Sequence, residues 1–201
     1  MYANLDGVRC LPYPRAQGAE CPTCGAPVIA KCGKINVWHW SHGAHPECDP
    51  WAEPDSLWHR TWQEAVPEER REVPFGRHRA DLVTAQGVVV EVQHSGISVD
   101  EILEREAHYG RMAWIFDATE AVRTERLDIR TKKDNPDPLF RSFRWKHARR
   151  SLGACHKPVW LDLGDDRVLR LRKIYTAAPV GGWGQLYPRA ALVEALNAPP
   201  T

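Results

Sequence analysis

The chain has 201 residues, 43% of them hydrophobic and 26% charged, with a formal net charge of +1. This is ordinary globular composition, enough for one domain and a smaller appendage, and it excludes a global electrostatic case for nucleic acid: any such case has to be local. No apolar run of about 7–15 residues opens the chain and none approaches about 18, which argues against secretion and membrane spanning; the expected setting is cytoplasmic, and the six cysteines are expected to be thiols or metal ligands.

Residues 1–20 read as loop or short strand. Cys21-Pro22-Thr23-Cys24-Gly25 then forms a knuckle, and Trp38-His39-Trp40-Ser41-His42 follows after a hairpin expected over 28–38. Cys21, Cys24, His39 and His42 make a closed Cys₂His₂ set, suited to a structural Zn²⁺. Cys32, His45 and Cys48 are nearby alternates, while Cys10 and Cys155 have no partner by spacing. Residues 43–55 are a linker. Asp55 or Ser56 can cap a helix running to about Val66, on which Trp58, Trp62, Ala65 and Val66 form an apolar stripe. His59 and Gln63 make a polar row beside it, either looking into a site or lying half-exposed.

Arg70 to Phe75 is expected as a strand. A β-hairpin follows over Arg79 to Ser95, with the loop Ala85-Gln86-Gly87 placing Thr84 opposite Val88 and Asp81 opposite Glu91. One face gathers Ala80, Leu82, Thr84, Val88, Val90 and Val92; the other gathers Arg79, Asp81, Val83, Val89, Glu91 and Gln93. Opposed carboxylates cost roughly 0.2–1 kcal/mol. They make sense around a cation, and oxygen ligands on rigid strands suit Mg²⁺ or Mn²⁺. A solvated sheet face with Arg79 relieving the repulsion is the competing reading.

Ser98-Val99-Asp100-Glu101 is a capping box for a helix to about Tyr109, stopped by Gly110. Glu101, Arg105 and Tyr109 share one stripe, with Glu101 and Arg105 in the favourable ion-pair orientation. Met112 to Phe116 reads as a buried, parallel strand. Strands are expected over 126–130 and 139–145, and a hairpin over 158–175 around Gly164-Asp165-Asp166. A final helix runs from Pro188 to about Asn197. The segment 141–150 carries five Arg or Lys, no acid and two interleaved aromatics. It reads either as a phosphate-tracking, base-stacking surface with Arg144, Lys146, Arg149 and Arg150, or as a solvated basic turn. The element order gives an α/β sandwich, organised as a zinc module over 1–50, an α/β core over 51–120 and a β-rich extension over 121–201.

Cys21-Pro-x-Cys24-Gly, Trp38-His-Trp-Ser-His42, Ser56-x-x-His59, Arg79-Ala-Asp81, Glu91-Val-Gln93-His-Ser95 and Glu101-x3-Arg105-x3-Tyr109 occur in an order that resembles competence protein CoiA-like proteins. The resemblance covers roughly residues 20–117. It implies a restriction-endonuclease-like core of the PD-(D/E)xK type behind a zinc-binding N-terminus, with DNA as substrate and recombination or DNA-uptake proteins as partners. By that match Asp81 and Glu91 bind Mg²⁺ or Mn²⁺, Gln93 takes the usual Lys position and His59 sits on the helix that closes the site. Gln93 and Gln63 each stand where a Lys would align, so fold is implied more strongly than activity. The expected function is a metal-dependent DNase. The rivals are a catalytically impaired nuclease fold that binds DNA through its zinc module and basic segment, and a scaffold whose zinc module binds protein.

Overall fold

The computed structural model describes residues 2–35, 37–43, 48–49, 51, 56–76, 78–175 and 180–200, with the backbone only for Arg150. The chain divides into two compact units, Met1–Leu82 and Val83–Thr201.

In the first unit, β1 (Ala3–Leu5) and β2 (Val8–Cys10) form an antiparallel hairpin. Asn4 exchanges both backbone hydrogen bonds with Glu20, at 2.9 and 2.8 Å, tying the hairpin to the segment that enters the knuckle. β3 (Ile29–Lys31) pairs antiparallel with β4 (His39–Ser41), Ala30 opposite Trp40, so the expected hairpin is present. These pieces enclose a small core of Ala3, Ala19, Cys21, Val28 and Trp40, in which Trp40 is the large side chain and its indole N–H donates to the Cys10 carbonyl at 3.1 Å. Next, α1 (Leu57–Gln63) is capped by Ser56, whose hydroxyl accepts the His59 N–H at 3.0 Å. β5 (Arg71–Phe75) then pairs antiparallel with β6 (His78–Val83), Val73 opposite Ala80. Trp62, Ala80 and Leu82 are fully buried. The alternate cap Asp55 lies outside the described residues.

The second unit opens on a turn that meets the expectation: the Thr84 N–H reaches the Val88 carbonyl at 2.9 Å, and the Gly87 N–H returns to Thr84 at 3.0 Å. The elements that follow are β7 (Val89–Gln93), α2 (Val99–Tyr109), β8 (Met112–Asp117), α3 (Thr119–Arg123), β9 (Leu127–Thr131), β10 (Phe140–Trp145), β11 (Val159–Asp162), β12 (Arg167–Tyr175), β13 (Val180–Pro188) and α4 (Arg189–Asn197). Within this unit the sheet order is β7-β8-β11-β12-β13-β10-β9. The β7/β8 and β8/β11 pairs are parallel and the others antiparallel, so the fold is mixed α/β with a large mixed sheet.

The β7–α2–β8 crossover is the part read from the sequence. Ser98 caps α2 by accepting the Glu101 N–H at 3.1 Å, Gly110 ends it, and Ile102 and Tyr109 face inward. Trp114, Ile115, Phe116, Leu161, Val168 and Leu169 are fully buried and form the centre of the core. No described helix is long and apolar enough to cross a membrane.

Candidate metal centre and buried charge clusters

The knuckle closes where the sequence places it. The Cys21 N–H donates to the Ala26 carbonyl at 2.8 Å, and the Gly25 N–H donates back to Cys21 at 2.9 Å. Gly25 adopts φ 69°, a left-handed turn that a residue with a Cβ resists. Sulfur atoms of Cys21, Cys24 and Cys48 and a ring nitrogen of His42 lie within 4.8 Å of one another. His42 Nε2 is 3.8 Å from the Cys24 sulfur and 3.3 Å from that of Cys48. A tetrahedral ion with bonds of about 2.0–2.3 Å sets donor atoms about 3.5–3.8 Å apart, so this donor set can hold a zinc ion. The other ring nitrogen of His42 lies against the Gly43 carbonyl, which with the proton there leaves Nε2 as the ligand atom.

The fourth ligand differs from the sequence expectation. Cys48 occupies the place assigned to His39, whose Nδ1 instead meets the Val37 carbonyl at 2.8 Å. The reason is strand parity. His39 begins β4, and on an extended chain residues three apart point to opposite sides. With His42 directly after β4, the spacing His39-x2-His42 turns the two rings apart here. Cys32 is not in the cluster and lines a surface cavity with His39. His45 lies outside the described residues.

The cluster's electrostatics match a cation site. Burial alone would push the Cys21 thiol up, but the N–H groups of Cys24 and Thr23, with the side chains of His42 and Cys24, outweigh it and bring it to about 7. Cys48 is pushed up to about 12, first by burial and then by charge on Cys21 and Cys24. A second thiolate is thus unfavourable here until a positive ion balances the first.

The acids of the expected hairpin each have a protein partner. In the first unit His59 Nε2 lies 3.0 Å from Asp81 Oδ1, and both His59 and Gln63 are buried, so their row is not surface decoration. A second pair sits nearby in the sequence of this unit: His78 Nδ1 meets Asp49 at 2.8 Å, its ring stacked on Trp51 with centroids 3.3 Å apart.

In the second unit all of β7 is buried, including Glu91 at 2% and Gln93 at 1% exposure. Arg105, on α2, donates one η nitrogen to Glu91 and the other to Glu101. One buried guanidinium thus bridges a strand acid and a helix acid, the stripe that the helix spacing predicted. The Gln93 amide donates to the Ser95 carbonyl at 3.3 Å.

Of the basic segment, Arg144 on β10 and Lys146 just after it are exposed and line a cavity of about 480 Å³ with Arg126 and Arg130. The interleaved Phe143 and Trp145 face inward at 2% and 3% exposure. They are core residues rather than stacking platforms, because strand alternation separates them from the cations. Arg149 clasps the carbonyls of His94, Ser95 and Asp117. The side chain of Arg150 lies outside the described residues.

The sequence reading missed the pair beneath that clasp. Asp117, at the carboxyl end of β8, takes His94 Nδ1 at 2.7 Å and the Thr119 N–H at 2.8 Å, holding a half-exposed imidazole in one orientation. Its signal was faint, since 23 residues separate the partners.

Residues 15–50 match the family model described as Competence protein CoiA, N-terminal domain. The match spans the knuckle and all four donor residues, Cys21, Cys24, His42 and Cys48. Comparison with curated proteins and with solved structures finds no match.

Proposed function

We propose that this chain is a DNA-processing protein with a metal-dependent phosphodiesterase site on a restriction-endonuclease-like core, behind a zinc-stabilised N-terminal module. The observation that carries the reading is the buried row Glu91, Gln93 and Arg105. Burying an ion pair adds little stability where apolar residues would pack as well. A strand otherwise made of valine that carries an acid and an amide is better explained by chemistry than by packing. The CoiA match over 15–50 supports DNA processing as the setting.

Asp81 and Glu91 are the proposed ligands of Mg²⁺ or Mn²⁺. The ion supplies polarisation of the scissile phosphate and a lowered pKa for its water. His59 holds the Asp81 carboxylate and Arg105 the Glu91 carboxylate, as hydrogen-bond partners orient metal ligands elsewhere. Gln93 positions the water, and His59 serves phosphate contact or proton transfer.

The test is Mn²⁺-dependent cleavage of single-stranded, duplex and branched DNA by zinc-loaded protein, with Asp81→Asn and Glu91→Gln each abolishing it. Mn²⁺ at 100 times its Kd should also stabilise the wild type by about 2.7 kcal/mol. Absence of both effects overturns the enzyme. A second reading, a binding protein without catalysis, is favoured by Gln93, which brings an amide where a Lys would bring charge, and by the outward Arg144 and Lys146.

A further inference from the structure

A second basic cavity lies in the β-rich part of the second unit, on residues the nuclease reading does not use. It has a volume of about 410 Å³ and is lined by His156, Lys157, Arg170, Arg172 and Lys173 with no carboxylate among its lining residues. Two carboxylates reach toward its lining, and Glu106 also accepts the backbone N–H groups of His156, at 3.0 Å, and Lys157, at 3.1 Å. Glu106 faces His156 Nδ1 at 3.6 Å, and Asp137 accepts from Gln185, whose oxygen in turn receives Arg172 at 2.8 and 2.6 Å. Cys155, also on the wall, adds no negative charge: burial, and then Glu106, push its thiol up to about 12.

The backbone is shaped to gather these cations. The β12/β13 register shifts between Leu171 and Lys173, a bulge that leaves the consecutive Arg172 and Lys173 both exposed where a regular strand would alternate them. Keeping that bulge requires glycine on the partner strand. A Cβ on Gly182 would lie 1.9 Å from the Lys173 carbonyl oxygen, and one on Gly184 would lie 2.3 Å from that of Arg170. Two small residues and a bulge thus hold like charges together, which costs stability in the empty cavity. Burial and the neighbouring Arg172 both depress the Arg170 pKa, the direction that repulsion produces. Beside the cavity, Arg170 lies over the Trp160 ring at 5.6 Å, and Tyr187 flanks the same ring at 5.7 Å.

We propose that this cavity binds a backbone phosphate of single-stranded nucleic acid, with the Trp160 and Tyr187 rings beside it for an adjoining base. Lys157, Arg170 and Lys173, whose charged groups have no carboxylate partner among the described contacts, supply the phosphate charge complement. The half-buried aromatic pair supplies a sequence-tolerant surface for bases. Concavity selects the strand form: a flexible strand can lower one phosphate into a pocket, whereas the phosphates of a duplex lie on a stiff convex cylinder. This deepens the DNA-processing reading and rests on it for the identity of the anion.

The experiment is fluorescence anisotropy on zinc-loaded protein without added Mg²⁺ or Mn²⁺, which keeps cleavage out of the readout, using a labelled thymidine strand of about 20 nucleotides and a duplex of equal length, across a salt series. The triple variant Lys157→Gln, Arg170→Gln, Lys173→Gln should weaken single-strand binding at least tenfold and lower the salt slope by about 0.7 per lost contact. Duplex binding should change less than twofold. Lys173→Glu alone, an exposed change, should give the same direction and guards against misfolding of the triple variant. An unchanged single-strand affinity and slope overturns the proposal while leaving the nuclease reading intact. Equal losses for duplex overturn the choice of strand form, and inorganic phosphate competing at micromolar concentration would make this a small-anion site. Failure of the wild type to bind either DNA overturns the DNA-processing reading together with this one.

Discussion

The Cys21–Cys24–His42–Cys48 cluster and the Glu91–Arg105–Glu101 cluster both take ionisable groups out of water, but they find their counter-charge differently. The strand acid Glu91 meets a guanidinium from its own fold, and the surrounding core of Trp114, Phe116 and Leu161 is large. The thiols meet one imidazole, around a core whose large side chain is Trp40 alone. One region is therefore stabilised by packing and carries its charge as a cost, while the other is expected to draw its stability from an ion held by its ligand set. The difference predicts where removing a single group is catastrophic and where it is merely expensive.

The largest effect should come from the thiol cluster. Structural zinc contributes about 10–16 kcal/mol of binding free energy in small domains, so chelation or Cys24→Ser should open residues 15–50 to hydrogen exchange and proteolysis. Protein purified without added metal should hold about one equivalent of zinc by elemental analysis; none in reduced protein would break the comparison. Next comes Arg105→Met, which strands Glu91 in the core and should cost about 3–5 kcal/mol by urea denaturation. The double variant Arg105→Met, Glu91→Leu should recover most of it. If single and double variants are equally unstable, Arg105 contributes packing rather than charge compensation.

A smaller effect concerns protons. With its thiol pushed up to about 12, Cys48 is protonated near neutral pH in the metal-free state, and zinc must displace that proton. Zinc affinity should therefore fall as pH falls, by about 1.4 kcal/mol per pH unit for each proton released. Calorimetric titrations in two buffers of different ionisation enthalpy measure the release directly, and buffer-independent heats would refute it. The smallest effect is at His39. His39→Ala should keep the zinc equivalent and shift stability by no more than about 0.5 kcal/mol. Loss of zinc from that variant would restore His39 as a ligand.

Legibility followed the range of the interactions involved. The turn at 84–88, the Ser98 cap, the α2 stripe and the buried parallel β8 were readable because each is written within about ten residues. The cluster was readable as a site but not in its membership, since spacing alone does not say whether His39 and His42 lie on a helix or a strand. β13 was missed because Gly181, Gly182 and Gly184 carry no side-chain alternation to read, and only the crowding carbonyls of β12 give Gly182 and Gly184 a reason to be in a strand. Phe143 and Trp145 appeared to share a surface with Arg144 and Lys146 because composition ignores alternation. Arg149 and the His94–Asp117 pair depend on contacts far apart in sequence, which local patterns do not record.

The strand order of the second unit also bears on how the chain is made. On a ribosome β7 and β8 emerge early, yet the neighbour that β8 needs on its other side, β11, follows only after β9 and β10. The β9–β10 pair joins the rest of the sheet only through β13, and the turn before β7 has its Ala85 N–H held by the Leu196 carbonyl at the end of α4. The nascent sheet thus passes through a period in which the largely apolar β7–β8 pair has an open edge and no late-made partner to close it. Closure of this sheet therefore waits on strands made late in the unit, and the interval before they arrive is when its open edge is most exposed to aggregation.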